Sequence, residues 1–569
     1  MARIKSKRNT QASLSCSFGG LEKHTPLSPL GAEDMCNFRI LPNGTLKVRS
    51  GYTRKKHFSS GKKVRGIWEG NLEGKSFFFA VVGNTVYSLS KDTMAESPVG
   101  TVTDGTENVH FFFYEDVLYL LDGTKMWNYS ASSKKFEELE AYVPLYGYAW
   151  SPSSFGDIKE DVNVLTPRLR VHYYNPNAET EFTLPYYASS IEFVIANGKE
   201  TYNYNFTKGS NKIVFPTAPV LVEIGFTVSL NEELRASVLA SQMSYIYSRN
   251  GTNQLFLWGK NAHLYFVKSV TPEMLSSCRS FFPKTSPLYM GGDDAFILGD
   301  STHPITTICP LYETLLIFTS DRIWNLAFEK EGMQVTLAMN GIGCASPHGA
   351  IPHLDGVLAA MDGGIYNITA SPARPEDLFL ERISLCVDEK FPAGFCDRVH
   401  LLRNFPNGEV WMRDPTETSG EVWVWNAELK DWYRFGKIAA SFFFKTAEGI
   451  GFASESDIHF FERSATTDNG SAIDAYYKST YLDFGVPDAP RRSMRAFLYA
   501  APGGSDCDIL FETEQKEQLH QFFAPTDAKA PQLHDMRIAT HRYRFLRFTL
   551  STGAKKPTEF YKLDIFTRP

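Results

Sequence analysis

A short unit recurs seven times in this chain: a polar turn, then Ile, Val, Leu or Met, then a ring-bearing residue, then a further apolar residue. "NTVYSL" centres on Tyr87, "TKMWNY" on Trp127, "AHLYFV" on Tyr265, "DRIWNL" on Trp324, "GGIYNI" on Tyr366 and "GEVWVW" on Trp423, with "SDIHFF" a weaker copy on His459. Most copies follow another apolar run across a tight polar turn, as in "SFFFAVVGNTVYSLS" and "TLLIFTSDRIWNLAF". Two such runs joined by turn residues form a hairpin. The centres lie 40, 138, 59, 42, 57 and 36 residues apart. Five of these intervals fit one period, because a four-stranded propeller blade takes roughly 40 to 50 residues and radial repetition of blades hides their edges. The expected fold class is all-β, a β-propeller of about six to eight blades.

The interval of 138 residues holds one blade plus a surplus. The strands "RLRVHYY", "SIEFVIANG" and "KIVFP", closed by the helical phrase "NEELRASVLASQ", predict an inserted β domain there. After His459 the polar stretch "ATTDNGSA" reads as a linker, and "AYYKSTYLDFG", "RRSMRAFLYA", "CDILFETE" and "RYRFLRFTLS" predict a C-terminal β-sandwich. The first 60 residues lack the blade rhythm and are expected to run as an extended arm over the surface or onto a neighbouring copy. The expected division is residues 1–62 for the N-terminal arm and first strands and 63–148 for the first part of the propeller. The insertion follows at 149–240, the second part of the propeller at 241–466 and the sandwich at 467–569.

Composition narrows the function classes. A net charge of −6 over 569 residues offers no cationic surface for wrapping a duplex, since such binding works by neutralising phosphates. The one basic concentration, Arg3, Lys5, Lys7 and Arg8, has no apolar stretch after it and reads as a flexible arm, not a secretory signal. The eight cysteines, at 16, 36, 278, 309, 344, 386, 396 and 507, show no zinc-type spacing and read as small buried hydrophobes in a reducing compartment. Six N-x-S/T sequons, at Asn43, Asn128, Asn205, Asn250, Asn367 and Asn469, read as chance matches. No apolar run reaches the roughly 18 residues a membrane span requires.

Several fragments imitate catalytic motifs. "DFG" at Asp483–Gly485 stands without a Gly-rich loop or catalytic-loop pattern and reads as a strand entering a turn. Asp293 and Asp294 in "GGDDAF" are adjacent, so on a strand they point to opposite faces, without the spacing of a calcium loop. Cys344, His348 and His353 in "GIGCASPHGAIPH" invite a nucleophile or metal reading, which a Gly/Pro-rich loop between blades accounts for better. The cluster Trp423, Trp425 and Trp432 reads as blade core, because each Trp sits where the pleat packs against a neighbouring blade. No catalytic, cofactor-binding or metal-binding residue set is expected, and no cofactor. The alternative is a carbohydrate-binding or glycoside-hydrolysing propeller engaged in host-surface recognition, with Trp127, Trp324 or Trp432 stacking on sugar rings. A glycosidase carboxylate pair is set by spatial, not sequence, separation.

The stretch "FGGLEKHTPLSPLGAEDMCNFRILPNGTLKVRSGY" adds a resemblance. Gly19, Gly20 and Leu21, then Pro26 and Pro29, Asn37, Gly44 with Leu46, and Arg49 with Gly51 resemble the opening of the tail nozzle family of short-tailed phages, also called tail hub or tail tubular proteins. In that family the Asn lies in a short helix, and Pro is common where this chain has Ser50. "YMGGDDAFILGDSTHPITTICPLYETLLIFTSDRIWNL" and "VWNAELKDWYRF" look like blades of that family, and "YLDFGVPDAPRRSMRAFLY" like the start of its sandwich. The resemblance implies a propeller-based structural virion protein and no enzyme. It implies a homohexameric ring below the adaptor, or head-tail connector, with distal tail or fibre proteins as further partners. Double-stranded DNA would pass through the lumen without sequence recognition, and the location implied is the virion tail, assembled in the host cytoplasm. The arm, the insertion and the sandwich are expected to supply most contacts between subunits.

Overall fold

The computed structural model describes residues 12–22, 31–249, 252–330, 332–371, 374–404, 407–447, 449–485, 490–515, 518–523 and 531–568. The chain is all-β and divides into two compact units, Lys63–Ile305 and a second built from Met1–Lys62 with Thr306–Pro569. It is a β-propeller protein with an inserted β domain and a C-terminal β-sandwich. Among the described residues there are seven four-stranded antiparallel blades, three in the first unit and four in the second.

Each of the seven sequence units lies on the third strand of its blade. Tyr87 is on Thr85–Leu89, Trp127 on Met126–Ser130 and Tyr265 on His263–Phe266. Trp324 is on Arg322–Glu329, Tyr366 on Gly364–Ser371, Trp423 on Val422–Asn426 and His459 on Asp457–Phe461. The recurring filler is the aliphatic residue before the ring, however, and not the ring. Val86, Met126, Leu264, Ile323, Ile365, Val422 and Ile458 are all fully buried, whereas Tyr87, Trp127, Trp324 and Tyr366 are only half-buried. The pleat explains it: neighbours on a strand face opposite ways, and in those four blades the ring side meets solvent along part of its edge.

In the first unit the blades are Val64–Thr101, His110–Glu138 and Met243–Ile297. The third is interrupted between Phe266 and Ala295 by helix α2, Pro272–Arg279, which opens on Thr271 accepting a hydrogen bond from the Met274 N–H. Helix α1, Glu232–Leu239, precedes that blade, where the sequence predicted it. The insertion is a five-stranded sheet with the order Leu145–Trp150, Arg168–Tyr174, Leu221–Val228, Ala188–Ala196, Lys199–Glu200, joined by a small three-stranded sheet. Its inward residues, among them Leu169, Val171, Tyr173, Val194, Ile224 and Phe226, alternate with outward ones and form a separate core.

In the second unit the blades are Thr307–Asn340, Ala350–Arg382, His400–Phe435 and Phe442–Phe461, the fourth to seventh in chain order. The seventh takes its fourth strand from the N-terminal segment: Tyr52–His57 pairs antiparallel with Asp457–Phe461. The sandwich likewise recruits N-terminal strands. Ala12–Cys16 and Leu46–Val48 pair with Glu559–Arg568, and Ala32–Cys36 pairs with Ile473–Ser479. The expected arm is therefore, over its described residues, five strands folded into this unit. Each strand is too short to stabilise itself; Phe38–Ile40 forms a local hairpin with Leu46–Val48, and the other ladders are completed by partners hundreds of residues away. Arg3, Lys5, Lys7, Arg8, Pro26, Pro29 and Asn250 lie outside the described residues.

Candidate functional site

Five of the residues that carry the family resemblance, Gly20, Leu21, Asn37, Arg49 and Gly51, converge in the second unit, where the N-terminal segment passes between the sixth blade, the linker at Ala465–Ser471 and the sandwich. Arg49 is its centre. Only 2% exposed, it uses all five N–H groups. Nε donates to Asn37 Oδ1 at 2.8 Å. One terminal nitrogen donates to Asp468 Oδ1 at 2.9 Å and to the Ser50 carbonyl at 3.1 Å. The other donates to Asp468 Oδ2 at 2.6 Å and to the Gly436 carbonyl at 3.0 Å. A planar fork of fixed donors is the group that can satisfy five acceptors in one plane, which a lysine cannot do.

Asn37 completes the junction. It stands between two strands, not in a helix, with φ of 60°, a left-handed conformation that Asn tolerates better than most residues. Its amide donates to the Asp474 carbonyl at 2.7 Å, and its Oδ1 also accepts from the Gly436 N–H at 2.8 Å. One side chain thus ties the sandwich, the end of the sixth blade and Arg49 together.

Two glycines allow the close approach. A Cβ on Gly51 would sit 2.0 Å from the Thr467 carbonyl oxygen, and one on Gly20 would sit 2.8 Å from that of Trp432. Leu21, buried beside Gly20, donates its N–H to the same Trp432 oxygen at 2.7 Å.

Further ion pairs extend the clasp. Arg434 of the sixth blade binds both oxygens of Asp34 at 2.9 Å and Glu421 at 2.6 Å. Arg39 grips Glu409 with two nitrogens. Glu409 is fully buried and also accepts from Trp411 Nε1 at 2.8 Å and the Tyr433 hydroxyl at 2.6 Å. Burial opposes the charge on Arg39, but Glu409 outweighs it and raises the guanidinium pKa. Burial, reinforced by Glu409, holds the Tyr433 hydroxyl well above its ordinary range. A buried carboxylate whose oxygens are taken up by these donors is a structural anchor.

The imitations of catalytic motifs resolve into local structure. Asp483 accepts the Gly485 N–H at 2.9 Å, closing a turn. Asp294 accepts the Gly291 N–H and pairs with Lys268 at 3.2 Å. Cys344 is fully buried, and burial pushes its thiol up to about 12, so it carries no thiolate at neutral pH. His348 packs edge-on against His400 at 4.5 Å while His353 packs against Trp425 at 5.2 Å, so the loop does not assemble its Cys and His residues around a shared partner. Among the described residues, no group of three or more His, Cys, Asp or Glu side chains is placed to hold a metal ion.

Trp423 is 1% exposed and meets Phe391 edge-on at 5.0 Å. Trp432 is equally buried and donates to the Ile383 carbonyl at 2.9 Å, and Trp127 donates to Asp122 at 2.7 Å. The tryptophan cluster is blade core. What the sequence did not disclose is the clasp itself, since Arg49 and Asp468 stand 419 positions apart and only the resemblance marked Arg49.

No family model and no curated protein matches the chain. Among solved structures it is similar to the exo-β-1,3-galactanase of Phanerochaete chrysosporium with galactose, at 7% identity over 91% of this chain and 100% of that one, with a TM-score of 0.22. It is also similar to PorZ, a bacterial surface component of the type-IX secretion system of Porphyromonas gingivalis, at 8% identity over 85% of this chain and 46% of that one, with a TM-score of 0.30. At those scores the likenesses carry nothing about function.

Proposed function

We propose that the chain is a structural virion protein, one subunit of a hexameric tail nozzle below the adaptor of a short-tailed phage, through which double-stranded DNA leaves the particle. The observation that carries this reading is the clasp. Gly20, Asn37, Arg49 and Gly51, which resemble the opening of that family, are the residues whose bonds and close approaches lock the N-terminal segment onto blade and sandwich. Their role here is architectural, as a ring subunit requires.

Surface chemistry agrees with assembly. Among the described residues, about half of the exposed large apolar side chains lie between Tyr148 and Leu221, on and beside the insertion, including Tyr187 at 71% and Tyr202 at 79% exposure. A closed ring needs an interaction surface on each subunit, and in this reading the insertion supplies it. The net charge of −6 suits a conduit that must release DNA. In this reading the adaptor and distal tail or fibre proteins flank the ring, and no chemical step is assigned to the chain.

Light scattering on the purified protein tests the reading. The expected mass is that of a hexamer, and the triple variant Tyr187→Ser, Tyr202→Ser, Leu221→Ser is expected to run as a monomer with an unchanged circular dichroism spectrum. A wild-type monomer across micromolar concentrations would count against it.

A further inference from the structure

A cleft of about 470 Å³ opens between the fifth and sixth blades, within the range of roughly 300 to 1,000 Å³ typical of small-molecule sites. His353 and Asn367 of the fifth blade line it together with Trp425 and Lys430 of the sixth. His353 is 4% exposed, and neither of its ring nitrogens has a hydrogen-bond partner; the Asn367 side-chain oxygen is likewise buried and unpartnered. Buried polar atoms left this way are destabilising, and each calls for a partner such as an ordered water or a bound species. We propose that this cleft binds a neutral saccharide unit.

The ligand class follows from what the three atoms demand. Burial holds the His353 imidazole neutral, down toward about 4, so it offers one N–H and one lone pair. The Asn367 oxygen requires a donor. An ionised carboxylate brings only acceptors and leaves Asn367 unserved, while an ammonium brings only donors and leaves the imidazole N–H unserved. A hydroxyl both donates and accepts, so a ligand carrying several hydroxyls matches this mixed set of demands.

Asp355, Glu381, Arg382 and Lys430 stand on the rim, and Arg382 is engaged by Asp388 at 2.7 Å. This site is independent of ring assembly and of the conduit reading.

The test uses the full chain with 15N-labelled histidine and a panel of probes: glucose, galactose, N-acetylglucosamine and their disaccharides, with sialic acid, inorganic phosphate and triglycine. A neutral saccharide is expected to shift one pair of ring-nitrogen signals saturably, and His353→Leu is expected to delete those signals. Asn367→Ala is expected to weaken binding about tenfold, the size of one lost buried hydrogen bond, with the circular dichroism spectrum unchanged. The proposal is overturned if no saccharide moves the His353 signals, if phosphate, sialic acid or triglycine moves them instead, or if saccharide binding is undiminished in both variants. A crystal structure soaked in the best-binding saccharide that shows water alone on His353 and Asn367 would overturn it equally.

Discussion

Arg49 and Asp468 form a two-pronged ion pair, with nitrogen-to-oxygen distances of 2.9 and 2.6 Å and side chains only 1% and 7% exposed. A buried pair of this kind is a poor source of net stability, but removing one partner strands the other charge. Asp468→Asn is therefore expected to destabilise the second unit by about 3 to 5 kcal/mol. The double variant Arg49→Met, Asp468→Leu is expected to recover part of that loss, and urea unfolding followed by tryptophan fluorescence measures both.

Gly51 offers a sharper steric test. With Thr467 backbone in the way at 2.0 Å, Gly51→Ala is expected to leave the protein insoluble or to remove the cooperative transition of the second unit. Gly74 has φ of 75° and nothing within 4 Å of a Cβ, so Gly74→Ala is expected to cost only about 1 kcal/mol. Equal behaviour of the two variants in thermal melts would contradict the close approach.

The blades make a prediction of their own. Ile365 is fully buried while Tyr366, the ring the sequence unit centres on, is half-buried. Ile365→Ala is expected to cost about 2 to 5 kcal/mol by leaving a cavity. Tyr366→Ala is expected to cost less, and the reverse order in chemical denaturation would restore the ring as the principal filler.

Asp122 sets a pH dependence for the first unit. Burial alone would raise its carboxyl pKa, yet hydrogen bonds from Lys125 N–H, Thr124 and Trp127 Nε1 outweigh that and bring it down to about 2. A depressed folded pKa stabilises at pH values above the unfolded one, and the gain disappears as pH falls from about 4 toward 2. The stabilisation is about 2 kcal/mol. The melting difference between wild type and Asp122→Asn is expected to be largest at neutral pH and to shrink across that window.

These tests follow the boundary between what was legible in the sequence and what was not. The blades were legible because six of the seven are built from consecutive strands, and the apolar residue before each ring repeats at the third strand. Helix α2 was marked by Thr271 and Pro272, a capping residue followed by proline, but lay inside a stretch read only as part of a blade. Most of the N-terminal strands left no local trace. Ala12–Cys16 is five residues long and its ladder partner is Glu559–Arg568, so neither periodicity nor turn chemistry reveals it. Glu409 shows the same limit at the level of a site. Arg39, which grips it, is 370 positions distant, and nothing around Glu409 in the sequence signals a buried carboxylate.

Electron micrographs of the purified full chain test the nozzle reading most directly. The account predicts closed rings with an open axial hole and rotational averages of sixfold symmetry. Monodisperse single particles without a hole, together with release of reducing sugar from bacterial polysaccharide, would contradict it.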